Sequence, residues 1–166
     1  MSEQLDLFAE PEKNKLDSEN IPKSSNNYRI LYFDLETQKS ADDVGGWGNI
    51  HDMKLAVGVV WDSVDQKHFS YLESEASQLV KKLCMADLVV GFNVKKFDYT
   101  VLQPYADFDL SEIVTFDMLD DIKSKLNHRL SLNHLAENTL NAKKSADGLV
   151  SLQWYKEGKI DKIIEY

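Results

Sequence analysis

The sequence predicts an α/β fold in which a mixed β-sheet is flanked by helices. Three observations predict it: a meander of strand-like segments comes first, short strands and helices then alternate, and a run of amphipathic helices closes the chain. At 166 residues there is room for one domain with a sizeable core. A hydrophobic fraction of 43% and a charged fraction of 28% are ordinary for a globular protein. No apolar run reaches membrane-spanning length, and the N-terminus lacks the basic-then-apolar pattern of a secretory signal. The single cysteine, Cys84, excludes an internal disulfide framework or a cysteine-rich zinc site, and its apolar setting predicts a buried, inert thiol. These features point to the cytoplasm and away from a membrane partner.

Residues 1–27 are polar and charge-rich with no periodic apolar face, so a disordered tail is expected there and a folded domain over 28–166. RILYFDLET reads as a buried strand that ends in two carboxylates. A Gly-rich loop, DDVGGWGN, follows. KLAVGVVWDS and KHFSYLES read as the second and third strands, joined by a turn at VDQK. In SEASQLVKKLCMA the residues Ala76, Leu79, Val80 and Leu83 recur at helical spacing, with Ser74 as the expected N-cap. DLVVGFN is a short buried strand, and KKFDYTVLQPY opens a helix that should stop near Pro104. SEIVTFDML holds another short strand. Helices are expected in DMLDDIKSKL, SLNHLAENTL, ADGLVSLQWYKEG (ending at Gly158) and KIDKIIEY, where Ile160, Ile163 and Ile164 share a face. Trp154 is expected in the core.

Asp34 and Glu36 carry the first chemical signal. Strand alternation puts them on one face at the end of a hydrophobic strand, where paired acids raise each other's pKa. A divalent cation resolves that cost, since Mg²⁺ and Mn²⁺ favour oxygen ligands. The bland alternative is that D-L-E only marks the strand's exit into solvent. The second signal is LVVGFNVKKFDYTVL. Gly91 permits close backbone approach, Asn93 offers an amide, and Asp98 falls in the first turn of a helix beside Phe97, Val101 and Leu102. A helix-dipole role for Asp98 is the alternative there, but it leaves the preceding G-F-N unexplained.

YFDLET followed by GFNVKKFDYTVL resembles the DEDD superfamily of 3′-to-5′ exonucleases, which have a ribonuclease-H-like fold. The proofreading domain of family-B DNA polymerases and a helicase-associated exonuclease family are especially similar, and the resemblance spans residues 28–166. It implies a ribonuclease-H-like mixed sheet and two-metal hydrolysis of phosphodiester bonds, with two Mg²⁺ or Mn²⁺ ions. It also implies that Asp34, Glu36 and Asp98 bind metal and act in catalysis, and that Thr37, Asn93 and Phe97 touch substrate. The expected substrate is the 3′ end of nucleic acid, single-stranded DNA first of all, in replication or repair. The family's last motif sets a tyrosine four residues before a fourth carboxylate. Tyr166 matches that tyrosine, no aspartate follows it, and the last helix has run barely two turns. The domain is therefore expected to be cut short at its C-terminus. A catalytically impaired nucleic-acid-binding or clamp-interacting module of the same fold is the alternative, and an endonuclease of that fold is a third.

Other residues carry weaker signals. Asp117 either approaches the site or caps the following helix. His128 and His134 do not stack on one helical face and are not read as a metal pair. Trp47 either stacks on an unpaired base or packs on its own domain. Lys95, Lys96, Lys143 and Lys144 are candidate phosphate contacts. The net charge of −9 argues against a protein that grips duplex nucleic acid by its phosphates, but suits carboxylates gathered round cations.

The tail holds one sharp feature. Gln4, Leu5, Asp6, Leu7 and Phe8 resemble the pentapeptide with which bacterial replication and repair proteins bind the sliding clamp. A disordered segment can insert Leu7 and Phe8 into apolar pockets, and tethering raises the effective concentration at DNA. A peptide covering Gln4–Phe8 is expected to displace a labelled clamp ligand in fluorescence anisotropy. Displacement equally strong with Leu7→Ala and Phe8→Ala would refute the assignment.

Overall fold

The computed structural model describes residues 28–142 and 148–165. Alternation organises the first strand: β1 (Ile30–Thr37) buries Leu31, Phe33, Leu35 and Thr37, and turns Tyr32, Asp34 and Glu36 to the other face. β2 (Leu55–Asp62) pairs antiparallel with β1, and β3 (Lys67–Leu72) antiparallel with β2. β4 (Leu88–Gly91) and β5 (Thr115–Asp117) extend the other side in parallel, giving the order β3-β2-β1-β4-β5. The mixed, helix-flanked sheet expected from the sequence is present.

Two helices close the core over the Leu31–Phe33–Leu35 face. α1 (Ala76–Cys84) contributes Ala76, Leu79, Val80 and Leu83, and the short α2 (Asp98–Leu102) contributes Val101 and Leu102. α3 (Met118–Leu126) and α4 (Leu132–Leu140) follow β5, and α4 buries none of its residues. α5 (Gly148–Lys156) packs on β1 and α6 (Ile160–Glu165) on β2, with Ile163 buried. Gly158 has φ +71, the left-handed conformation expected where α5 ends. Among the described residues no helix is long and apolar enough to cross a membrane.

Three local expectations change. Ser74 is not the cap of α1: it lies inside a 3₁₀ turn, Glu73–Glu75, where the Glu75 carboxylate accepts the Leu72 backbone N–H (3.1 Å). That bond closes the 3₁₀ turn, and α1 itself starts after Glu75 with no side-chain cap. Cys84 is exposed rather than buried, because it follows Leu83 by one residue and so rotates off the apolar stripe. Its partial burial and the nearby Asp107 push the thiol's pKa up. Trp154 is half-buried rather than core, with the Lys162 ammonium 5.9 Å above its ring.

An ion cluster fixes the far end of the sheet. The Asp62 carboxylate, fully buried, meets the Lys82 ammonium at 2.6 Å and the Arg29 guanidinium, and accepts the backbone N–H groups of Val64 (2.8 Å) and Asp65 (3.2 Å). Burial alone would raise its pKa, but Lys82 and the two N–H donors outweigh that and hold it well below the usual carboxylate range. A carboxylate whose folded pKa is depressed stabilises the fold above its ordinary value and stops doing so in strong acid. Asp62→Ala is expected to cost about 3 kcal/mol at neutral pH, read by urea unfolding, and the deficit should shrink as the pH falls below the ordinary carboxylate range. A deficit that is independent of pH would show that packing, not charge, is what was lost.

Candidate active site

The site forms where β1 and β4 part. Their pairing runs from Ile30–Leu88 to Tyr32–Val90 and then stops, as β4 ends and the chain turns at Gly91, Phe92 and Asn93. A Cβ on Gly91 would stand 2.7 Å from the Phe33 carbonyl oxygen and 2.2 Å from Val94 Cγ2, so only glycine fits. Asn93 adopts φ +65, a left-handed conformation that asparagine tolerates. The buried Asp117 carboxylate holds this turn, accepting the backbone N–H of Asn93 (2.8 Å) and of Lys95 (3.0 Å). It also accepts the N–H of Leu119 (3.0 Å) and so caps α3. Of its two sequence readings the helix cap holds, and the residue also approaches the site closely enough for its charge to act on Asp98. The clamp on the turn was invisible, because the turn lies more than twenty residues earlier.

The clamped turn delivers Asp98 as the first residue of α2, 2% exposed. Leu35's backbone N–H, freed where β4 stops, faces its carboxyl group, while Oδ1 has no hydrogen-bond partner. Burial first, then the negative charge of Asp34, push the Asp98 pKa well above the usual carboxylate value. Glu36, half-buried, accepts a hydrogen bond from the Ser151 hydroxyl of α5 at 2.6 Å. Sequence reasoning missed Ser151, whose only signal is its place on a helix that packs on β1. Among the described residues no three His, Cys, Asp or Glu side chains gather closely enough to enclose a metal ion. The acids that act electrostatically on Asp98 are Asp34 and, more weakly, Asp117, whose oxygens are already taken up by backbone N–H groups. The pair of Asp34 and Asp98 suits a hard dication: both donors are oxygens, one buried oxygen is orphaned, and Mg²⁺ is commonly held by one or two carboxylates with water and substrate phosphate completing its shell.

Two cavities flank the D-x-E acids. One, of about 490 Å³, is lined by Leu35, Glu36, Thr37, Trp47, Phe97 and Leu152. The Thr37 hydroxyl donates to the Lys39 carbonyl (2.9 Å), so this residue shapes the wall with its hydroxyl already committed. Trp47 is 70% exposed and stands 6.4 Å, centroid to centroid, from the Phe97 ring. The other cavity, of about 270 Å³, lies at Asp34 and is lined by Tyr32, Trp61, His68 and Phe92 among others. Lys95 and Lys96 are exposed beside the turn, and His128 and His134 are exposed. Tyr166, Lys143, Lys144 and the Gln4–Phe8 pentapeptide lie outside the described residues.

No functionally curated protein matches the sequence. The fold is shared with a family-B DNA polymerase from the hyperthermophilic archaeon Pyrobaculum calidifontis, at TM-score 0.61 and 16% identity, over 83% of this chain and 22% of that one. E. coli Exonuclease I, in complex with a dA16 oligonucleotide, aligns at TM-score 0.48 and 13% identity over 80% of this chain and 42% of its own. The chain thus spans about a fifth of the polymerase and under half of the exonuclease. A family model described as RNase_H superfamily matches residues 31–161, taking in the sheet from its first strand, both D-x-E acids, the clamped turn and the helices that cover it. By that match, and by the ribonuclease-H-like α/β architecture it falls on, the chain belongs to the ribonuclease H superfamily.

Proposed function

We propose that this chain is a metal-dependent 3′-to-5′ exonuclease that hydrolyses phosphodiester bonds of single-stranded DNA, in replication or repair. The observation that carries the reading is Asp98: a buried carboxylate with an unbonded oxygen, beside a second acid, at the point where the superfamily's sheet opens. Structural roles give a buried acid partners, as Asp62 and Asp117 show here. Asp98 instead has one oxygen left over, which suits a ligand. Nucleases of this superfamily generally use divalent ions. Asp34 and Asp98, with Glu36, would hold Mg²⁺ or Mn²⁺, two ions in all, which supply Lewis acidity at the phosphoryl oxygen and make water nucleophilic at neutral pH. The protein's own groups do the rest. Ser151 orients the Glu36 carboxylate, and the cavity at Phe97 and Trp47 receives the terminal nucleotide with a ring for its base. Asn93 offers an amide to the sugar or to water, Thr37 shapes the wall, and Tyr166 would be the tyrosine of the family motif. The Gln4–Phe8 pentapeptide would bring the enzyme to a sliding clamp.

A second reading is a non-catalytic nucleic-acid-binding module of the same fold, tethered to the clamp. It is favoured by the lack, among the described residues, of a cluster of three or more His, Cys, Asp or Glu side chains able to enclose a metal ion.

Incubating the chain with Mn²⁺ and a 5′-labelled single-stranded oligonucleotide is expected to yield a ladder that shortens from the 3′ end, lost in Asp34→Ala. A folded chain that leaves the oligonucleotide intact would refute the exonuclease and favour the module. A second prediction needs no turnover. A carboxyl with a raised folded pKa binds its proton more tightly when folded, so its contribution is complete below the unfolded value and is lost as pH rises through the folded one. In EDTA at neutral pH, Asp98→Asn should therefore be more stable than wild type, by about 1–2 kcal/mol. Mn²⁺ should raise the melting temperature of wild type and leave that of Asp98→Asn unchanged. An equal rise in both would place the ion elsewhere.

A further inference from the structure

The sheet face that carries Asp34 also carries aromatic side chains for which cleavage has no use. Strand register sets His68 opposite Trp61, Trp61 opposite Tyr32, Tyr32 opposite Val90, and Val90 opposite Phe116. Residues opposite one another in a sheet point to the same face, so these five form one row across all five strands. Tyr32 is 48% and Phe116 44% exposed, and the Tyr32 and Trp61 rings meet edge to face at 5.6 Å. The next row on this face contains Asp34, opposite Val59, and the row after it contains Glu36, where α5 sits through Ser151. α5 covers the Glu36 end of the face, while Met118 of α3 and Leu132 of α4 stand at the side of the cavity by Tyr32, Trp61 and His68 and leave the Tyr32 and Phe116 rings accessible.

From this geometry we infer that the row is a stacking track for unpaired bases of the substrate strand on the 5′ side of the scissile bond. The inference rests on the nuclease reading and adds a direction to it. Glu36 opens on the cavity bounded by the Gly-rich loop, Phe97 and α5, whereas Asp34 opens on the cavity that runs into Tyr32, Trp61 and His68. A strand cut at Asp34 and Asp98 has the first cavity for the departing nucleotide and the second for the chain that remains. Aromatic rings displayed on a sheet take any base, since every base has a π-face. Stacking also suits this chain's charge of −9, because it does not depend on a basic surface.

The test is anisotropy of a 5′-fluorescein oligothymidylate with the full chain in EDTA, where no cleavage occurs. Tyr32→Ala is expected to weaken binding about tenfold, with Phe116→Ala weakening it in the same direction and Tyr32→Phe retaining affinity. The salt dependence should be unchanged by Tyr32→Ala, because no phosphate contact is removed. Replacing internal thymidines by abasic residues should weaken wild type and add little to the loss in Tyr32→Ala. If both alanine variants are folded by circular dichroism and bind like wild type, the track is overturned. It is overturned too if wild type binds no oligothymidylate, or if the variants alter self-association in sedimentation and not oligonucleotide affinity, which would make the row a protein interface. In each of these cases, a 3′-end ladder still formed with Mn²⁺ leaves the exonuclease reading standing; loss of the ladder in wild type removes both.

Discussion

The Asp117 carboxylate takes three backbone N–H donors at once, and the geometry of the candidate site follows from that. Two of the donors close the turn after β4, which ends the β1–β4 ladder and leaves the Leu35 N–H to face the Asp98 carboxyl group. The third starts α3, so the same side chain ties the turn to the helix after β5. Gly91 is the other half of the constraint, since any side chain there would strike the Phe33 carbonyl and lift the turn away from β1. With both in place, the first residue of α2 has nowhere to go but beneath the end of β1, and that residue is an aspartate.

Two buried carboxylates in this chain are driven in opposite directions by their surroundings. Asp62 is surrounded by cations and N–H donors, which overcome its desolvation and keep it charged. Asp98 is equally buried but faces Asp34, so desolvation and like charge act together and favour the neutral form. The first arrangement completes itself within the protein, while the second leaves one buried Asp98 oxygen without a hydrogen-bond partner. Sites that bind ligands are generally less stable than the fold could make them, because their groups are arranged for a partner that the free protein lacks.

The sheet, its strand order of types and the acids on β1 were legible because they are written in local periodicity. Alternation over Ile30–Thr37 places Asp34 and Glu36 on one face without knowledge of any other strand. G-F-N before a helix was equally local, and the structure shows why each letter matters: close approach at Gly91 and a left-handed backbone at Asn93. What was illegible depends on distance in sequence or on rotation. Ser151 meets Glu36 from 115 residues away. Cys84 left the core by one helical step, which a window of apolar residues does not resolve. The aromatic row is spread over four strands and becomes a row only once their registers are known.

Charge sets the remaining condition on any nucleic-acid reading. With 28 acidic against 19 basic residues, the chain has no surplus of cations with which to hold a polyanion by its phosphates. In the proposed reading the deficit is met locally. A dication held by Asp34 and Asp98 would reverse the sign of the local field and so favour a phosphate there. Away from that point, rings at Phe97, Trp47, Tyr32 and Phe116 would supply attraction that does not depend on charge. Binding of that kind is modest and indifferent to sequence, so the strand can shift by one nucleotide after each cut. An enzyme with a weak hold on its substrate gains from being tethered beside it, which is the advantage a clamp-binding tail would confer.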